Sequence, residues 1–274
     1  MTSEVLPHFA QPPVTRVVLG LAFEPLPKLR ASHLGVFWDH MNSRGGFPLL
    51  DEFEHSTTIR EHFDELGNRS DDNLALEALD SPAVPRVVMS SSDGHSQIAV
   101  QDDLLQVSWL RANDGQPYPR YEWVRDRFSE TFASWQAFLG KQEFGLVRPV
   151  QADVSYSNDL RIGSAPDTYS AIPDVVRFQT LPTTAGQDVE NFHYAQRHVL
   201  RDAENLPWAR LHVHLDCRRS KGPELQPLLV LRVRGPVATD DEAFAFFDRA
   251  HRVIVTSFVE ATPPSAHLKW GKIR

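Results

Sequence analysis

A single cysteine, Cys217, stands among 274 residues, which excludes an intramolecular disulfide and a zinc site built on thiolates. Positive charge is also short: 28 Lys and Arg face 36 Asp and Glu, for a net charge of −8. That balance disfavours non-specific binding to nucleic acid or to an anionic membrane surface. No stretch approaches the roughly 20 consecutive apolar residues that span a bilayer. Residues 1–13 lack the charged start and apolar run of a signal peptide. The expectation is a cytoplasmic protein without a membrane partner. Gly-rich phosphate loops, Gly-x-Ser-x-Gly elbows and His-Glu-x-x-His pairs are missing as well. No catalytic residue is therefore named, and neither a cofactor nor a metal is expected.

What is present describes a folded protein. An apolar fraction of 41% with 23% charged residues is ordinary for a globular chain. In residues 17–23, Val17, Leu19, Leu21 and Phe23 alternate with Val18, Gly20 and Ala22, a strand with one large-residue face and one small. Pro25 and Pro27 end it. Leu34, Phe37, Trp38 and Met41 recur at helical spacing before Gly45-Gly46. Residues 47–53 read as an edge strand, residues 57–79 as two short helical patterns around Gly67, and residues 86–90 as a strand. Residues 97–101 and 104–110 flank Asp102-Asp103 as a tight hairpin. Tyr121, Val124, Phe128, Phe132, Trp135 and Leu139 form the stripe of a five-turn helix ended by Gly140, an apolar periodicity that reports burial.

The second half repeats the order of elements. Residues 152–156, 175–180, 192–200, 209–218 and 228–234 read as strands. Thr239 with Glu242 has the form of a capping box, opening a helix that carries Phe244, Phe247, Ile254 and Phe258 and ends at Pro263-Pro264. A short helical turn follows around Leu268 and Trp270. The fold class predicted is α+β, with two topologically similar halves, 1–145 and 146–274, each an antiparallel sheet covered by one long amphipathic helix. Whether the two sheets fuse into one is left open by the sequence.

The segment richest in chemistry is residues 211–219. Strand alternation puts Leu211, Val213, Leu215 and Cys217 on one face and His212, His214, Asp216 and Arg218 on the other. Arg232 and Arg234 share a face of the next strand. Paired, the two strands collect groups that could fork an anion or set a histidine base beside a carboxylate. Plain solvation of a half-exposed sheet produces the same alternation. Metal binding by His212-x-His214 needs a third ligand, for which His193 or His198 is available, and two-residue spacing is a weak signal. Cys217 falls on the apolar side and reads as a buried small hydrophobe. Arg120, within Tyr118-Pro119-Arg120-Tyr121-Glu122, is a further binding candidate beside its structural role ahead of the aromatic helix.

Several segments together resemble a sporadically distributed family of bacterial proteins of about this length. They are Glu24-Pro25-Leu26-Pro27, His33-Leu34-Gly35-Val36-Phe37-Trp38, Gln97-Ile98-Ala99-Val100-Gln101, Ser108-Trp109-Leu110-Arg111, Tyr118-Pro119-Arg120-Tyr121-Glu122, Val154-Ser155-Tyr156-Ser157-Asn158, and Ala250-His251 with Trp270-Gly271. Ser108 stands where the resemblance leads one to expect asparagine. The family carries no assigned activity, and its distribution is that of accessory genes, including toxin–antitoxin and phage-defence loci. The resulting expectation is a non-enzymatic binding or regulatory protein with a protein partner. One form would be the antitoxin-like or sensing member of such a pair, an acidic chain covering a basic surface. The alternative is a small-molecule or anion sensor, or an enzyme, using the His/Asp/Arg strand face.

Overall fold

The computed structural model describes residues 6–43, 46–58, 60–63, 84–113, 116–160, 169–177, 191–219 and 225–273. The fold is α+β, and among the described residues it has nine strands in one antiparallel sheet and four α-helices. The strands are β1 (Val14–Phe23), β2 (Leu49–Phe53), β3 (Arg86–Ser90), β4 (Ser96–Val100), β5 (Leu104–Leu110), β6 (Pro149–Asp159), β7 (Asn191–Arg201), β8 (Pro207–Arg219) and β9 (Leu225–Pro236). Their order across the sheet is β2-β3-β4-β5-β1-β6-β9-β8-β7. The question of fusion is thereby answered, because β1 pairs with β5 on one side and β6 on the other.

The helices α1 (Ala31–Ser43), α2 (Tyr121–Lys141), α3 (Asp240–Ala261) and α4 (Pro264–Lys269) complete the fold. Strand alternation decides what α2 and α3 meet. Val17, Leu19, Leu21 and Phe23 are all buried, and so is the α2 stripe of Val124, Phe128, Phe132, Trp135 and Leu139. Phe128 meets Phe247 of α3 edge-to-face at 4.8 Å, and Phe37 of α1 meets Trp135 in the same way at 4.8 Å. Each such side chain contributes about 1.5–3 kcal/mol through burial. Gly140 lies inside the last turn of α2, not beyond it. Thr239 caps α3 by accepting from the Glu242 N–H. The Glu242 carboxylate accepts from the Ala238 N–H, one residue earlier than the standard box.

Two expectations are corrected. Val175 and Val176 are buried, but they follow a 3-10 turn (Tyr169–Asp174) and are not in a strand; residues 178–180 lie outside the described residues. Residues 57, 58 and 60–63 are not helical, and the rest of the two helical patterns expected in 57–79 lies outside the described residues. Among the described residues no helix is long and apolar enough to cross a membrane.

Candidate functional site

Large residues on one side of β1, the side on which α2 packs, leave the small ones on the other. Val18 is opposite Ser155 of β6, which is opposite Arg232 of β9, which is opposite His212 of β8. One pleat along, Gly20 is opposite Asp153, then Arg234, then Arg210. From β6 through β9 to β8, each row is therefore a line of polar side chains across the sheet. Gly20 is needed for the second row: a Cβ there would collide with the Asp153 carboxylate, which lies across β1.

Residues 54–58 and 60–63 form a strap that runs over this face and roofs part of it. Ser56 is fixed at both backbone groups by the fully buried Gln101, whose Oε1 accepts from Ser56 N at 3.3 Å and whose Nε2 donates to Ser56 O at 2.9 Å. His55 lies 3.2 Å from Asp102 and 3.9 Å from Asp103 in the β4–β5 turn. These three are the described group of His, Cys, Asp or Glu whose ligand-type atoms approach within 4.8 Å, and here the imidazole and the paired carboxylates hold the strap to the turn. Further on, Glu61 N–H donates to Gln151 Oε1 at 2.7 Å, and the Glu61 side chain drops onto β8.

There the Glu61 carboxylate accepts from Arg210 Nη1 and, at 2.7 Å, from His212 Nε2, with Arg234 Nη1 at 3.8 Å. Arg210 is also covered by the Phe63 ring at 4.5 Å and donates to His62 O. Burial works to raise the Glu61 carboxyl, but hydrogen bonds from His212 and Arg210 outweigh it and hold the group at about 2. Burial, then the neighbouring His212, pushes His214 down.

Between the strap and the middle strands lies a cavity of about 340 Å³ lined by Arg16, Arg86, Arg232, Arg234, Ser155 and Ser157, among others. Arg16 is pushed down by burial and by the charges of Arg232 and Arg86, so like charges are crowded in a place with little water. Among the described residues, Arg86 Nε, Arg232 Nε, Asp153 Oδ1 and Thr58 Oγ1 are buried around it without a hydrogen-bond partner. Asp153 Oδ2 sits 3.6 Å from Arg232 Nε, an ion pair too long for a hydrogen bond. Native proteins leave few such atoms unpartnered. Four around a single cavity mark groups arranged to face something other than one another.

Of the residues singled out from sequence, His212, His214, Asp216, Arg232 and Arg234 all line one adjoining hollow of about 630 Å³, with Glu61 and Arg197. Arg232 and Arg234 also line the smaller cavity. Asp216 accepts from His193 at 2.9 Å, across the β7–β8 pair. His198 is opposite Leu211 and thus on the other face, so it is not a third ligand beside His212 and His214. Arg218 pairs with Gln226 near the end of β8, and its side chain lies outside the described residues. Arg120 is not brought here at all: it precedes α2 on the helix side, where its guanidinium donates to Phe9 O at 3.2 Å. Cys217 is buried, and burial pushes its thiol up to about 11.

Arg16, Arg86, Asp153, Ser155, Ser157 and Glu61 went unnoticed in the sequence. A signal existed for two of them, since Ser155 and Ser157 alternate with Val154 and Tyr156 as His212 and His214 alternate with Val213 and Leu215. No protein-family model matches the chain, and no curated protein matches it either.

Proposed function

We propose that this protein binds a small, multiply charged anion, a phosphate ester or a polycarboxylate, on the face of its sheet opposite α2 and α3. The observation that carries the proposal is the convergence of Arg16, Arg86 and Arg232 on one cavity, with Arg86 Nε and Arg232 Nε buried without a hydrogen-bond partner. Guanidinium forks match carboxylate and phosphate oxygens, and an anion there would offset the burial and the like charges that together depress Arg16. Thr58, Ser155 and Ser157 add hydroxyl donors. Among the described residues, neither the Ser155 nor the Ser157 hydroxyl is hydrogen-bonded to a base that would activate it, which favours binding over catalysis.

A regulatory role in a bacterial cytoplasm follows naturally if the anion is a signal. A protein partner of the toxin–antitoxin or phage-defence kind is then the reader of the bound state. The two-half description of the fold belongs with this reading. It is supported by α2 packing on β5 and β1 while α3 packs on β6 and β9.

The test is isothermal titration of the full chain with pyrophosphate. Charge-assisted hydrogen bonds contribute about 1.5–3 kcal/mol each. Arg86→Ala and Arg232→Ala should therefore each weaken binding by about tenfold or more. Failure of pyrophosphate and citrate to bind, or equal binding by both variants and the parent, would sink the proposal.

A further inference from the structure

A second cleft, of about 180 Å³, lies on the opposite, helix-bearing side of the sheet. Segments far apart in the chain meet there: the N-terminal residues around Phe9, Tyr118 and Arg120 ahead of α2 with Glu122 in its first turn, Tyr156 and Asn158 of β6, and His251 of α3. Nothing in the anion site uses them.

The backbone of Arg120 has φ 83° and ψ 163°, a region essentially reserved for glycine and held by other residues only under constraint. It carries no side-chain cap for α2, so helix capping does not account for it. What the conformation does is deliver the Arg120 guanidinium to the cleft, where a single described hydrogen bond, to Phe9 O, uses one of its five donors.

Below Arg120 runs a chain of polar groups. Tyr118 OH is 3.1 Å from Tyr156 OH, which is 2.9 Å from His251 Nδ1. The Tyr121 ring stacks on the imidazole at 4.0 Å, with the planes 3° apart, and fixes its orientation. Burial holds His251 down at about 4 and pushes Tyr156 upward, so all three groups are neutral near pH 7. A phenol that donates to Nδ1 leaves the imidazole proton on Nε2. The remaining walls are apolar, chiefly Phe9, Ile254, Val255 and Phe258.

A guanidinium fork and an imidazole set over apolar walls suit one ligand chemistry, a carboxylate on an apolar body. We propose that this cleft is a second binding site, for a small carboxylic acid of aromatic size. Its carboxylate meets Arg120 and His251, and its body lies against Phe9, Ile254 and Phe258. The exposed Glu122 stands at the rim, placed to take the ammonium if the ligand is an amino acid.

Phenylacetate and phenylalanine are the probes, titrated into the full chain by calorimetry. At least one should bind saturably. Preference for phenylacetate identifies a simple acid, and preference for phenylalanine brings in Glu122. Arg120→Gly should weaken binding at least tenfold while the thermal midpoint holds or rises, because glycine adopts that backbone without strain. Val255→Trp, which fills the cleft from one wall, should abolish binding independently. Saturating pyrophosphate should leave phenylacetate binding unchanged, which separates this cleft from the anion site. No saturable response to either probe, or binding that survives Arg120→Gly, overturns the proposal.

Discussion

Glu61 shows at the level of one residue how the basic face is kept in order. Its side chain is 5% exposed and that of Arg210 is 7% exposed, so the pair is out of water and removing one member leaves a bare charge. Glu61→Gln should cost about 3 kcal/mol in urea unfolding at neutral pH. The sign of the pH dependence follows from its depressed carboxyl. An acid held at about 2 in the folded chain, against about 4.3 unfolded, stabilises fully above the unfolded value. That stability is lost as the pH falls towards 2. The gap between parent and Glu61→Gln should accordingly narrow between about pH 5 and pH 3; a gap that stays constant over this range would show that Glu61 is not charged and paired. No pattern in the sequence announces this residue. Its partner Arg210 is 149 positions away, and residues 60–63 are neither strand nor helix.

At the scale of elements, α3 is held against the sheet by close approach to β9. A Cβ on Gly235 would strike the Trp208 carbonyl and come within 2.9 Å of Phe246 on α3. Backbone cannot yield as a flexible side chain does, so Gly235→Ala should cost about 1–3 kcal/mol, read as a lowered thermal midpoint. An unchanged midpoint would mean that the helix is free to ride outward. Local pattern carried far at this scale. The alternation of His212, His214 and Asp216, the α2 stripe and the Asp102-Asp103 hairpin are nearest-neighbour features, and all appear in the fold. Val175-Val176 misled because a buried valine pair looks the same in a turn as in a strand. Arg16 and Arg86 escaped because their meaning depends on strand order, which places β3 three strands away from β1.

At the scale of the molecule, a chain of net charge −8 gathers arginines from β1, β3 and β9 on the face opposite α2 and α3. Such concentration of cations within an acidic protein favours a compact anion over a long polyanion, since surrounding acids repel extended negative charge. The sheet makes the gathering possible, because only in one continuous sheet do Arg86 and Arg232 share a side. The most direct measurement is the response of the arginine Nε–H resonances to pyrophosphate in the intact protein. The signals of Arg86 and Arg232, whose Nε atoms are buried without a hydrogen-bond partner, should shift saturably and together, while that of the half-exposed Arg127, on α2, stays put. Shifts no larger at Arg86 and Arg232 than at Arg127 would contradict an anion site on this face.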